Sequence, residues 1–381
     1  MATNPLNTFT TDDAKFMARA LKLAEKGRHS TTPNPQVGCV IVSSQGEVIG
    51  EGFHKTAGQA HAEVYALKQA GDKAKGATVY VTLEPCSHTG RTPPCADALI
   101  KAGVKKVIIS AIDPNPEVSG GGIERLKTAN IEVISGLQAE ASFKQNEKFF
   151  HRMSFNKPFI TVKLASSLDG KTALANGKSK WITSKEARLD VQKHRATACA
   201  ILTGADTVIA DNPAMNIRTN ELTKDLAEQV GARANPLLRV IIDGKNRLNQ
   251  SAYQIFDQNI APTIVYNLNV NNKISTALQS QVGAQPNSSN QFVCLETLFA
   301  ALAKKEINHV WVEAGPTLAG ALIGLGLVNR LVLYQAPLIL GDKAKSLINL
   351  HEITELGQAK KARIVEQKRV GPDTKTVFNF D

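Results

Sequence analysis

Residues 78–95 read TVYVTLEPCSHTGRTPPC. Thr78 to Leu83 is a β-branched run of strand character that ends on Glu84-Pro85-Cys86. Cys95 then opens a helical stretch to Ala102, with Gly103 as its stop signal. Upstream, His61-Ala62-Glu63 opens another helical stretch, to Gln69. One His and two Cys make three protein ligands and leave the fourth position of a tetrahedral zinc ion for water, whose pKa the ion lowers to about 7. Glu63 lies two residues past the His, near the metal without being needed as a ligand, so it suits proton transfer. HxE and PC are each short, but their order on a helix start, a strand end and the following loop matches the zinc-deaminase signature. A structural zinc site would want a fourth protein ligand, for which His54 and His88 are the nearest candidates. The general signature has Cys-x-x-Cys, whereas eight residues (Ser87 to Pro94) separate the cysteines here and bring His88 and Arg91 to the mouth of the site.

The surrounding pattern alternates strand and helix. Thr11-Asp12-Asp13 is placed to cap a helix to about Lys26, Val37 to Val42 reads as a buried strand, and Glu47 to Phe53 as its hairpin partner. Strands at Val107 to Ser110 and Ile131 to Ile134 follow, then a helix from Gln138 to Phe150. Near Ser154-Phe155-Asn156-Lys157-Pro158 the pattern restarts. Strands are expected at Phe159–Leu164, Ala200–Leu202, Leu238–Ile242, Thr263–Tyr266, Val310–Val312 and Leu331–Tyr334, with helices at Ser184–Thr197 and Pro316–Ile323. Asn267 to Asn290 reads as a surface loop or frayed helix. The expectation is two α/β domains, 1–150 and 151–381, joined almost without spacer.

Composition narrows the function classes. A net charge of +11 raises the question of nucleic acid, but Lys and Arg are scattered through both halves and aromatic residues are only 5%. That favours anionic small molecules over a stacking platform. Five cysteines form no disulfide scaffold. No apolar run approaches the ~20 residues of a membrane span, and MATNPLNTFTTDD lacks a secretory start, so a cytoplasmic protein without membrane partners is expected.

In the second half, Val312-Glu313-Ala314-Gly315-Pro316-Thr317-Leu318-Ala319-Gly320-Ala321 ends a strand and opens a helix through a small-residue turn. Exposed amides at such a start suit phosphate or pyrophosphate, although this is not GxGxxG. Lys163 to Gly170 follows the first strand with a polar turn, and Trp181-Ile182-Thr183-Ser184 precedes a helix carrying Arg188 and Arg195. Asp211-Asn212-Pro213 leads to Arg218. Arginines pair with phosphate through parallel hydrogen bonds, although singly each could be a solvated helix face.

Together TTPNPQVGCV, HAE, EPCSHTGRTPPC, KLASSLDG, SKWITS, TGADTVIADNPAMNIR and VEAGPTLAG resemble the bifunctional riboflavin-biosynthesis deaminase–reductases of bacteria, over nearly the whole chain. The resemblance implies a cytidine-deaminase-like α/β/α domain followed by a dihydrofolate-reductase-like α/β domain. The first would remove the 2-amino group of 2,5-diamino-6-ribosylamino-4-pyrimidinone 5'-phosphate. It would hold one zinc on His61, Cys86 and Cys95, with Glu63 as proton shuttle and Asn34, His54 and Arg91 on the substrate. The second would use NADPH to reduce the opened ribose to a ribityl chain. NADPH contacts are implied at Ala165, Trp181, Thr207, Asp211, Gly315, Pro316, Thr317, Leu318, Ala319, Gly320 and Ala321. Substrate contacts are implied at Ser179, Arg195, Met215, Arg218 and Glu313, with Arg195 and Arg218 as partners for the phosphate. The family usually has Glu-Gly-Gly where this chain has Glu313-Ala314-Gly315. A homo-oligomer is implied, and nucleic acid is not. Lys163 and Asp211 lie in the right segments to donate the reductive proton, and the sequence does not choose between them. The competing readings are a nucleic-acid-editing deaminase with an accessory domain and a non-enzymatic zinc module fused to a ligand-binding domain.

Overall fold

The computed structural model describes residues 9–87, 93–115, 119–249, 252–268 and 292–380. The chain folds as two compact units, residues up to Phe155 with Glu228–Asn235, and Asn156–Ala227 with Pro236 onward. Asn156, at φ +52, ends the last helix of the first unit in the left-handed conformation that Asn tolerates, and Pro158 follows.

The first unit carries α1 (Thr11–Glu25), β1 (Gly38–Val42), β2 (Val48–Phe53), α2 (Ala62–Ala70), β3 (Thr78–Leu83), α3 (Cys95–Lys101), β4 (Lys106–Ala111), α4 (Gly121–Thr128), β5 (Glu132–Ser135), α5 (Ala139–Gln145) and α6 (Glu147–Phe155). Its sheet runs β2-β1-β3-β4-β5, antiparallel as far as β3 and parallel beyond. Every residue of β1 is buried, because both faces of the sheet are covered. Cys39 and Ile41 pack with Ala62, Ala66, Leu99 and Leu126 on one face, whereas Val40 and Val42 pack with Met17 and Ala20 on the other.

Three details differ from the sequence expectation. The cap of α1 is Thr10, whose hydroxyl accepts the Asp13 N–H while Asp13 accepts the Thr10 N–H. The helix expected from Gln138 to Phe150 is two, interrupted at Asn146, whose amide both accepts from and donates to the backbone of Gln36. Helix α4 was not anticipated.

The second unit carries β6 (Phe159–Ser166), β7 (Lys171–Ala173), α7 (Lys185–Arg195), β8 (Ala200–Gly204), α8 (Ala205–Asp211), α9 (Lys224–Gly231, which ends in the first unit's segment), β9 (Leu238–Ile242), β10 (Thr263–Tyr266), α10 (Leu295–Lys304), β11 (His309–Glu313), α11 (Pro316–Gly324), β12 (Arg330–Gln335), β13 (Lys345–Ser346), β14 (Arg363–Val370) and β15 (Asp373–Asn379). The main sheet runs β10-β9-β8-β11-β6-β12-β15-β14, parallel through β12 and antiparallel at β15 and β14. The β14–β15 hairpin was absent from the sequence reading because β14 is charged and exposed almost throughout and shows no alternation. Its two-residue turn begins at Gly371, at φ +62, a conformation that favours glycine. Of the expected Asn267–Asn290 stretch, all but Asn267 and Leu268 lie outside the described residues. Among the described residues no helix is long and apolar enough to cross a membrane.

Helix α2 lies on β2 only because β2 carries Gly50 and Gly52. A Cβ at either would sit 2.2 Å from the Ala66 or the Ala62 carbonyl oxygen. Gly52→Ala is expected to destabilise the first unit by about 1–3 kcal/mol in thermal or urea unfolding. Gly231→Ala, where a Cβ meets nothing within 4 Å, should be neutral. Equal stability of the two variants would contradict this packing.

Candidate active sites

Because α2 rests on β2, its N-cap His61 and first-turn Glu63 face the loop that follows β3. That loop delivers Cys86, and Cys95 is the first residue of α3. The His61 Nδ1 atom lies 3.2 Å from Cys95 Sγ and 3.6 Å from Cys86 Sγ, and all three donor atoms fall within 4.8 Å of one another. Bond lengths of about 2.1 Å to nitrogen and 2.3 Å to sulfur give a tetrahedral N–S edge of about 3.6 Å, so the trio has zinc dimensions. The amide of Cys95 donates to Cys86 Sγ at 3.3 Å, and that of Ala96 to the Cys86 carbonyl at 3.2 Å. Hydrogen bonding to Cys95, and then to His61, lowers the Cys86 thiol, while Cys86 and burial push Cys95 up. Cys86 is thereby favoured as the thiolate that a metal takes.

Glu63 is buried, and its Oε2 has no hydrogen-bond partner among the described residues. Burial, opposed by His61, raises its carboxyl above the ordinary value. A carboxyl held this way can accept a proton and return it. The buried polar oxygen and the donor set beside it fit a zinc ion with a water that Glu63 can reach.

His54, considered as a fourth ligand, is otherwise occupied. Its Nδ1 donates to the Ala60 carbonyl at 3.1 Å, and its Nε2 then accepts from the Asn34 amide at 3.1 Å. Burial lowers its pKa, in keeping with that neutral tautomer. Its ring stands edge-on to His61, with centroids 5.3 Å apart. Among the described residues, His61, Cys86 and Cys95 form the one group able to hold a metal. His88 and Arg91 lie outside the described residues.

Glu84 had no assigned role in the sequence reading. Its carboxylate accepts four backbone N–H groups, from Gly122 (3.0 Å), Ile123 (3.2 Å), Gly120 (3.0 Å) and Asp113 (3.4 Å). A Cβ on Gly122 would fall 1.9 Å from the Pro85 carbonyl oxygen, so α4 meets the loop backbone to backbone. The Ser119-Gly120-Gly121-Gly122 run was the signal available for this approach.

In the second unit Ala165, Thr207, Glu313 and the Gly315 turn lie at or next to the carboxyl ends of neighbouring parallel strands, where ligands of open α/β sheets bind. Lys163 on β6 is in register with Glu313 on β11. Arg195 reaches Glu313 from α7 with two hydrogen bonds, Nε to Oε1 at 2.7 Å and Nη2 to Oε2 at 2.8 Å. Its Nη1 donates to the Asn216 carbonyl at 2.7 Å, and Met215 Sδ lies 3.9 Å from Nη2. Trp311 on β11 donates from its indole to Glu313 Oε1 at 2.8 Å. Burial alone would raise Glu313, but the Arg195 charge and bonds, with Lys163 and Trp311, hold it at about 2. Burial lowers Lys163, aided by Arg195 and opposed by Glu313. The Arg195 fork is thus engaged by Glu313, the counterion a largely buried guanidinium requires.

The turns after β8 and β11 lie together. A Cβ on Gly204 would stand 3.5 Å from Leu318 Cδ2, and Gly315 caps α11 with Pro316 in the first turn. Ala165 lies near the end of β6 and Thr207 on α8, and α8 ends at Asp211, which pairs with Lys180 at 3.3 Å. Trp181 is exposed, with the Arg188 guanidinium 4.4 Å from its ring centre, and Ser179 is half-buried nearby in sequence. Arg218 pairs through Nε with Glu221 at 3.2 Å.

Comparison with known proteins accords with both sites. Residues 10–111 match the cytidine and deoxycytidylate deaminase zinc-binding region, and residues 158–376 match the RibD C-terminal domain. The riboflavin biosynthesis protein RibD of Escherichia coli K12 is 47% identical over 364 residues, covering 95% of this chain and 97% of that protein. The chain belongs to the RibD family. A RibD structure from Acinetobacter baumannii superposes with a TM-score of 0.86 at 41% identity, covering 97% of this chain and 99% of the other. A diaminohydroxyphosphoribosylaminopyrimidine deaminase/5-amino-6-(5-phosphoribosylamino)uracil reductase from Thermotoga maritima gives 0.83 at 33%, with the same coverage. Like other RibD proteins, the chain is a bifunctional deaminase and reductase of riboflavin biosynthesis, with zinc and NADPH as cofactors.

Glu313 departs downward from its ordinary value of 4.5, so its contribution to stability is complete above that pH and fades as pH falls toward about 2. Glu313→Gln should cost about 3–5 kcal/mol in neutral urea unfolding of the second unit, since it strands Arg195. The gap to the parent protein should narrow as pH drops below 4.5. A gap that stays constant down to pH 3 would refute an ionised Glu313.

Proposed function

We propose that Glu63 is the proton shuttle of the deamination and that His61, Cys86 and Cys95 hold its zinc. The observation that carries this reading is the partnerless, buried Glu63 oxygen beside three donor atoms of tetrahedral spacing. Zinc bound there supplies a water acidic enough to give up a proton near neutral pH. Glu63 takes that proton as the oxygen adds to the ring carbon bearing the 2-amino group, then delivers it to the nitrogen. The C–N bond breaks, ammonia leaves and the carbon keeps the oxygen. Asn34, fixed by His54, contacts the pyrimidine, and Arg91 serves the phosphorylated sugar.

In the second unit Ala165, Trp181, Thr207, Asp211 and the turn from Gly315 to Ala321 would hold NADPH, which would supply a hydride for the opened ribose of the deaminated product. Ser179, Arg195, Met215, Arg218 and Glu313 would bind that product, and a proton must follow. Of the two candidate donors, Lys163 fits, since burial weakens its hold on the proton while Glu313 keeps the ammonium in place. Asp211 is paired with Lys180. Arg218 is the phosphate partner and Arg195 the group that orients Glu313. The protein acts in the cytoplasm as a homo-oligomer.

The test is ammonia release from the diaminopyrimidine substrate by the parent protein and Glu63→Ala. The variant should lose about 10²–10⁴-fold in rate while keeping its zinc and its NADPH-dependent reduction. Full deaminase activity in Glu63→Ala would exclude the shuttle.

A further inference from the structure

Residues 212–218 run between α8 and the next helical turn without helix or strand of their own. Side chains from α7 and β9 nonetheless fasten this backbone at three points. Arg239 on β9, fully buried, donates from Nη1 to the Ala214 carbonyl at 3.0 Å. Arg195 on α7 donates to the Asn216 carbonyl at 2.7 Å. Gln192, three residues earlier on α7 and fully buried, accepts the Arg218 N–H through Oε1 at 2.9 Å. Between the fastenings Met215 sits at φ +47, a left-handed conformation that a Met holds only where its surroundings impose it.

Gln192 is the informative member. Its Nε2 has no partner among the described residues, so the Arg218 N–H is the bond that justifies a buried amide there. An apolar side chain of similar length would pack at lower desolvation cost. The bond also fixes the amide orientation, since only oxygen accepts. It holds the main chain of a residue whose side chain is 44% exposed and reaches outward. A guanidinium meets phosphate through parallel bonds only if its own Cα is held in place.

We propose that Gln192 is a positioning residue: by tying the Arg218 backbone to α7 it sets where the Arg218 guanidinium meets the substrate phosphate. The proposal rests on the reading of Arg218 as the phosphate contact. Gln192 itself does not touch substrate.

The experiment follows NADPH oxidation by the full chain with the phosphorylated deaminated substrate and with its dephosphorylated counterpart. Gln192→Met should raise KM for the phosphorylated substrate about tenfold, with kcat and the NADPH KM within about twofold. Turnover of the dephosphorylated compound should not change. Gln192→Glu, which retains an acceptor, should restore the parent KM to within about threefold. Equal losses on both substrates, or an unchanged KM, would overturn the proposal. Arg218→Ala, run in parallel, separates the two claims. A phosphate preference that survives Arg218→Ala refutes the phosphate reading and the proposal with it. A preference that Arg218→Ala abolishes but Gln192→Met leaves intact refutes the proposal alone. Ammonia release and NADPH binding verify the fold of each variant, and Gln192→Leu replaces Gln192→Met if the latter does not accumulate.

Discussion

The carbonyl oxygens of Ala62 and Ala66 occupy the space that side chains on β2 would otherwise fill, so α2 rests on the bare backbone of Gly50 and Gly52. This contact brings the His61 end of α2 to the loop after β3. A second backbone contact, between Gly122 and Pro85, fixes that loop from the α4 side, and Glu84 satisfies the amides that would otherwise be buried without partners. His61, Cys86 and Cys95 therefore come from separate segments, and close main-chain contacts at Gly50, Gly52 and Gly122 hold two of them. That is the rigidity a three-ligand site needs, because among the described residues no fourth ligand joins the group to correct its geometry.

The reductase unit meets a different constraint. Its site places Glu313, Arg195 and Lys163 together in a buried setting, where each charge alone would be costly. Register solves part of this by setting Lys163 beside Glu313 on adjacent parallel strands. The remainder comes from α7, whose Arg195 supplies the parallel bonds, and from Trp311 behind them. The charges thus sit on adjacent strands, and α7 supplies the guanidinium that neutralises Glu313. Helix α7 also fastens the segment that bears Met215 and Arg218, so a single element orders both the buried charges and the exposed arginine.

Much of this was legible in the sequence. The grouping of His61, Cys86 and Cys95 could be read because zinc limits ligand types, and the parallel strands because their apolar runs are short and buried on both faces. Other features were hidden for physical reasons. Strand β14 is exposed and charged, and its existence depends on pairing with β15. The role of Glu84 depends on a helix that begins three dozen residues later, at Gly121. Arg195 could be read as a candidate anion binder, but only the fold reveals that Glu313 occupies its fork. Gln192 and Trp311 look like ordinary helix and core positions until their partners are known.

One chain houses two chemistries with separate requirements, deamination that depends on zinc and reduction that does not. Removal of the metal separates them. After dialysis against a strong chelator, zinc content, ammonia release from the diaminopyrimidine and NADPH-dependent reduction of the already deaminated compound are measured on one sample. Zinc and ammonia release should be lost together and return together on adding one equivalent of zinc, while reduction persists throughout. Deamination that continues without zinc, or reduction that disappears with it, would rule out this division of labour.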